Sequence, residues 1–105
     1  MKSSRHLIQL LLPLRDNHGA SFAKNLFLDV LRELSEKFGG STAYTRSPAE
    51  GLWKSEGADH HDDIVVVEVM VEKIDRAWWK TYRQELERKF KQKELVVRAQ
   101  SIEIL

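Results

Sequence analysis

Residues Ile64 to Val71 read IVVVEVMV, and all but Glu68 and Met70 are β-branched. Such a run fits a pleated surface better than a helix, and its near-continuous hydrophobicity is that of a strand covered on both faces. Alternation puts Val65, Val67, Val69 and Val71 on one face, and Ile64, Val66, Glu68 and Met70 on the other. Whatever fold the chain adopts must give this strand neighbours and a covering layer.

The rest of the chain supplies both. Leu7 to Leu14, LIQLLLPL, is too short for an independent helix and too apolar for a loop, so it reads as a second buried strand. Its Ile8, Leu10, Leu12 and Leu14 share one face, with Leu7, Gln9 and Leu11 opposite. The turn formers Arg15 to Gly19 follow. Ser21 then caps a helix in which Phe22, Leu26, Val30, Leu34 and Phe38 recur every four residues, and Gly39-Gly40 ends it. Ser41 to Arg46 is a short strand, broken at Ser47 to Gly51 and resumed by Leu52-Trp53-Lys54 before a polar hairpin tip, Ser55 to His61. After the valine strand, Asp75 caps a second helix, Arg76 to Glu94. Trp79, Tyr82, Leu86 and Phe90 form its apolar stripe, with Glu85–Lys89 and Glu87–Lys91 as i,i+4 pairs. A last strand runs from Leu95 to about Leu105.

Two strand-helix-strand halves joined by a hairpin make the split β-α-β arrangement. The expected fold is α+β, a ferredoxin-like βαββαβ sandwich whose four-stranded antiparallel sheet has the order 4-1-3-2 and both helices on one face. Right-handed crossovers bring strands one and three to the centre. The 105 residues are expected to form one domain, 1–105, without linker or low-complexity stretch.

Composition narrows function by exclusion. Hydrophobic residues make up 42% and charged ones 31%, as in ordinary folded domains, and a net charge of +1 offers no broad basic surface. The absence of cysteine removes disulfides, thiolate catalysis and cysteine-ligated zinc. Lys2 and Arg5 ahead of the apolar Leu7–Leu14 run have the flavour of a secretory signal. Arg15 and Asp16, however, stand where a small-residue cleavage site belongs, and no run is long enough to span a bilayer. A cytoplasmic protein without membrane attachment is expected. RNA-binding domains of this topology stack bases on aromatics of strands one and three; those strands have none here, so no nucleic-acid partner is expected. There is no phosphate-cradling glycine loop, HExxH helix or nucleophile elbow, and no cofactor is expected.

With both helices on one face, the other face is open and largely apolar. Contiguous apolar patches beyond about a few hundred Å² mark contact surfaces. The expected occupant is a second copy, sheet against sheet, in a homodimer; cover by the chain's own hairpin is the alternative. Gln9, Glu68 and, by alternation, Arg98 on strand four set polar groups into that face, and Tyr44 and Arg46 on strand two can join them. A Glu opposite an Arg in such surroundings is first a structural pair that sets register or partner orientation. The sharper reading is the polar end of a ligand cavity, with Glu68 as a general base and Trp53 and Met70 as pocket candidates.

A second polar cluster lies at one end of the sheet, where the topology brings Arg15, Asp16 and His18 near Asp59, His60, His61, Asp62 and Asp63. Asp16, His18, His60, His61, Asp62 and Asp63 are types that bind divalent metals. Adjacent His60 and His61 diverge when extended, so a solvated hairpin tip is the first expectation and a metal site the alternative. The second helix carries seven Lys/Arg against three Glu, which reads as a solvated face. Trp78-Trp79 reads as one core ring and one rim ring.

From about Phe27 onward the chain resembles a family of small bacterial proteins of unknown function. The shared features are Lys37-Phe38-Gly39-Gly40, Thr42-Ala43-Tyr44, Gly51-Leu52-Trp53, the valine strand, Tyr82-Arg83, Arg88-Lys89-Phe90-Lys91-Gln92 and Val96-Val97-Arg98. Gly39-Gly40 stands where the family has a Pro-Asp-Gly turn, and Arg46 to Glu50 is an insertion. The resemblance implies the same βαββαβ fold, directs attention to Tyr44, Gly51, Trp53, Gln92 and Arg98, and carries no activity to transfer. The leading expectation is a homodimeric domain binding a small ligand or a protein without catalysis. The alternative is a small dimeric α+β barrel-like enzyme using acid–base groups on the open face.

Overall fold

The computed structural model describes residues 4–46 and 63–105. Its elements are β1 (Ser4–Pro13), α1 (Lys24–Phe38), β2 (Thr42–Arg46), β3 (Ile64–Val71), α2 (Arg76–Lys89) and β4 (Val96–Glu103). The strands form one antiparallel sheet in the order β2-β3-β1-β4, the expected order read from its other edge. This is the ferredoxin-like βαββαβ pattern, with the valine strand and β1 paired at its centre.

Period-two alternation places the core. Ile8, Leu10 and Leu12 of β1 and Val67, Val69 and Val71 of β3 are buried on the helix side. Val30 and Leu34 of α1 and Trp79, Tyr82 and Leu86 of α2 close over them. Each fully buried aliphatic side chain contributes about 1.5–3 kcal/mol relative to exposure. Phe38 of α1 stacks on Trp79 of α2 at 5.4 Å, and just outside the helices Phe90 meets Phe22 edge-on at 5.1 Å. Trp79 is buried while Trp78 sits half-buried beside it, one core ring and one rim ring as expected.

Several boundaries differ from expectation. β1 begins at Ser4 rather than Leu7 and ends at Pro13, β2 starts at Thr42 rather than Ser41, and β4 covers Val96–Glu103 rather than Leu95 to Leu105. Ser21 does not cap α1. It bridges to Arg15, and Phe22 N–H donates to the Leu14 carbonyl over 3.1 Å, so this segment is pinned to the chain leaving β1. The helix starts instead at Lys24, with Ala23 in the cap position and no side-chain cap bond. Gly39 ends it in the left-handed region at φ 90°, its N–H donating to Ser35 O over 2.8 Å.

Helix α2 is capped as expected, Asp75 Oδ1 accepting from Trp78 N–H over 3.1 Å. It stops at Lys89, not Glu94. Lys91 takes the left-handed turn at φ 55°, and Gln92 N–H reaches back to Glu87 O over 2.9 Å, closing the helix without a glycine. The expected helix pairs are also replaced. Glu87 binds Arg83 at 2.9 Å and accepts from Leu95 N–H, while Lys89 crosses to Glu33 on α1 at 3.7 Å.

Candidate functional site

Among the described residues, both helices pack on one side of the sheet. The opposite face carries Leu7, Gln9 and Leu11 from β1 and Ile64, Val66, Glu68 and Met70 from β3. Tyr44 on β2 lies opposite Val66, and Val96 on β4 lies opposite Leu11. Met70 is 54% exposed, Val96 52% and Tyr44 42%, which makes a rim of large apolar groups in solvent; Val66 near its middle is buried. The alternative of cover by the chain's own hairpin concerns residues 47–62, outside the described residues.

One polar line crosses this face from edge to edge. Register sets Thr42 opposite Glu68, Glu68 opposite Gln9, and Gln9 opposite Arg98. Gln9 Nε2 donates to Glu68 Oε2 over 2.8 Å, and Arg98 Nε donates to Gln9 Oε1 over 2.9 Å. From β2, the Tyr44 hydroxyl adds a second donor to Glu68 Oε2 at 2.9 Å, a diagonal reach of the kind long side chains make across strands. Both donors go to the same oxygen; among the described residues, Glu68 Oε1 accepts none.

The expected Glu68–Arg98 pairing is corrected by this register. β1 lies between β3 and β4, and two strand spacings, roughly 9.5 Å, are too far for a direct ion pair of side chains standing upright on the sheet. Gln9 carries the contact instead, its amide offering the donor to one side and the acceptor to the other. Arg46 shares the face at the end of β2, opposite Ile64, but bonds to no member of the line among the described residues. The hydrogen bond to Glu68 raises the Tyr44 phenol above its ordinary range, so Tyr44 remains a donor at neutral pH.

Beside this line, Leu7, Glu68 and Met70 meet the turn from Phe38 to Thr42 around a recess of about 540 Å³. Because β2 begins only at Thr42, it leaves the Met70 end of β3 without a neighbour on that side, and Gly39-Gly40 passes there. Met70 lies in the wall of this recess. Trp53 and Gly51 lie outside the described residues. The recess was not legible in the sequence, since it depends on where β2 starts relative to β3.

The second cluster is a turn. Asp16 Oδ1 accepts from the backbone N–H groups of His18 at 2.8 Å and Ala20 at 2.9 Å, and these bonds hold its carboxyl below the usual range. His18 is exposed. Asp63 carries a backbone contact, its carbonyl accepting from Leu14 N–H at 3.3 Å, which does bring the hairpin's return beside this turn. His60, His61 and Asp62 lie outside the described residues. Among the described residues, no group of three His, Asp or Glu side chains is placed to hold a metal ion. Gln92, singled out by resemblance, donates to Asn17 Oδ1 at 3.4 Å and to Phe90 O at 3.1 Å, tying the end of α2 to this turn.

Among the described residues, no helix is long and apolar enough to cross a membrane. Comparison with protein-family models, with curated proteins and with solved structures returns no match.

Proposed function

We propose that this chain is a self-associating binding domain of the cytoplasm that pairs its open sheet face with a second copy and holds a small ligand at Glu68, without a reaction of its own. One observation carries this reading: a hydrogen-bonded polar line, Tyr44–Glu68–Gln9–Arg98, set into an otherwise apolar face, with one carboxylate oxygen left over. Apolar side chains on either side of the line supply the area that drives association. The line, bonded within the chain across all four strands, holds Glu68 in a fixed place on that face. The free oxygen next to the recess gives a ligand with a donor group something to bind.

A second reading makes Glu68 a general base, and the same unpaired oxygen favours it, since a base needs a lone pair facing its substrate. Native mass spectrometry of the untagged protein and of Glu68→Gln separates the two. The binding reading expects a dimer mass with an organic adduct that weakens or disappears in the variant. A bare monomer for the wild type would overturn it. An adduct in the variant larger than in the wild type, substrate held but not converted, would favour the enzyme.

A further inference from the structure

The far edge of the sheet offers a site of different chemistry. The strand order ends at β4, so the outward N–H and C=O groups of its eight residues have no neighbouring strand among the described residues. Exposed edges of this kind are usually blunted by charge or proline. This one carries only Arg98 and Glu103 as charged residues and no proline. Alongside it, a groove of about 230 Å³ separates β4 from α2, with Trp79, Val97 and Ala99 among its lining. Arg76, Lys80 and Arg83 form its other wall. They stand at i, i+4 and i+7, one side of the helix. Arg83 is paired with Glu87 at 2.9 Å, whereas among the described residues Arg76 and Lys80 have no ion-pair partner.

We propose that this edge takes up an extended acidic segment of another protein, which adds a strand to β4 and sets its carboxylates against Arg76, Lys80 and Arg83. Main-chain hydrogen bonds to the edge supply affinity, and alternate side chains entering the groove supply selectivity. Charge decides between occupants. A second copy pairing β4 to β4 would bring two α2 helices to the same seam on the same face of the sheet, cationic wall against cationic wall. Like charges placed so oppose docking, whereas acidic side chains are drawn in. The site shares Arg98 with the polar line of the open face, but its cationic wall and its edge lie outside that face.

The test uses a synthetic nine-residue peptide alternating Glu and Val, with a Lys-Val peptide as its control, and backbone amide NMR of the full chain. The Glu-Val peptide is expected to shift β4 resonances and slow exchange of every second β4 amide, with an affinity that falls as salt rises. Arg76→Glu with Lys80→Glu should weaken binding about tenfold or more. Arg88→Glu, an exposed α2 change outside the groove, should leave it unaltered, and circular dichroism of both variants checks the fold. Equal binding of the two peptides, absence of binding, or shifts confined to Leu11 and Glu68 would overturn the proposal. So would β4 amides already protected by self-pairing in the free protein.

Discussion

The amide of Gln9 donates to Glu68 over 2.8 Å and thereby ties the two central strands together on the face that neither helix covers. The same side chain accepts from Arg98, so one neutral residue links an acid and a base that stand two strands apart. Glu68 and Arg98 therefore share an energy term without touching.

Gln9→Leu tests that link. Leucine suits a strand, yet the change strips Arg98 of its acceptor and Glu68 of one donor. Because the face is part-exposed, water replaces some of the loss, and the expected destabilisation is about 1 kcal/mol in urea unfolding. A double-mutant cycle of Gln9→Leu with Arg98→Leu should return a coupling of at least about 0.5 kcal/mol. Strictly additive effects would show that the Gln9–Arg98 bond carries no coupling energy.

The two helix starts differ in what holds them. Asp75→Ala removes a side-chain cap and should cost about 1 kcal/mol. Ser21→Ala should stay within about 0.5 kcal/mol, because Ser21 is engaged through its backbone and caps nothing. Thermal or urea unfolding of both variants compares them directly; equal losses would contradict the assignment of the α1 start to Lys24.

Gly39 and Gly40 make a similar pair. A Cβ added at either meets nothing within 4 Å, so any cost is one of backbone conformation alone. Gly39 sits at φ 90°, and Gly39→Ala should destabilise by about 1 kcal/mol. Gly40→Ala should be neutral or slightly stabilising by its effect on the unfolded chain.

Alkaline pH probes the helix layer. Burial first, and then the 2.8 Å bond from its hydroxyl to Glu33, push the Tyr82 phenol far up. The folded protein thus holds that proton more tightly than the unfolded chain, whose phenols ionise near pH ~10. The stability linked to Tyr82 is whole below that pH and is lost as pH rises toward the native value. The chain has two tyrosines, and Tyr44 is also raised by its bond to Glu68. Phenolate absorbance should therefore show both tyrosines titrating above pH ~10 in the folded state, Tyr82 the later of the two. Tyr82→Phe should flatten the alkaline decline in stability; an unchanged decline would contradict the assignment.

What could be read in the sequence follows from how local each signal is. The span Ile64–Val71 matches its strand end to end, because a β-branched run needs no tertiary context to declare itself. The faces of β1 and β3 follow from alternation alone, and so did the choice of Gln9, Glu68, Tyr44 and Arg98 as companions. Their connectivity did not, since it requires knowing that Gln9 pairs with Glu68 on one side and Arg98 on the other. The end of α2 is not marked in the sequence for a related reason. Lys91 supplies a positive φ that side chains seldom adopt, and no glycine or proline marks the stop. Ser21 has the residue type of a cap, but its bridge to Arg15, just past the end of β1, takes it out of the helix start.

The central claim is that the open face is a contact surface for a second copy, and Leu11→Arg is its sharpest probe. Leu11 lies mid-strand on that face, opposite both Val66 and Val96, and is only half-buried in the single chain. An arginine there can reach solvent in a monomer but would be trapped between paired sheets. Sedimentation velocity over a wide concentration range should find the wild type dimeric and Leu11→Arg monomeric, with matching circular dichroism. A wild type that stays monomeric throughout, or a folded Leu11→Arg that remains a dimer, would contradict the account.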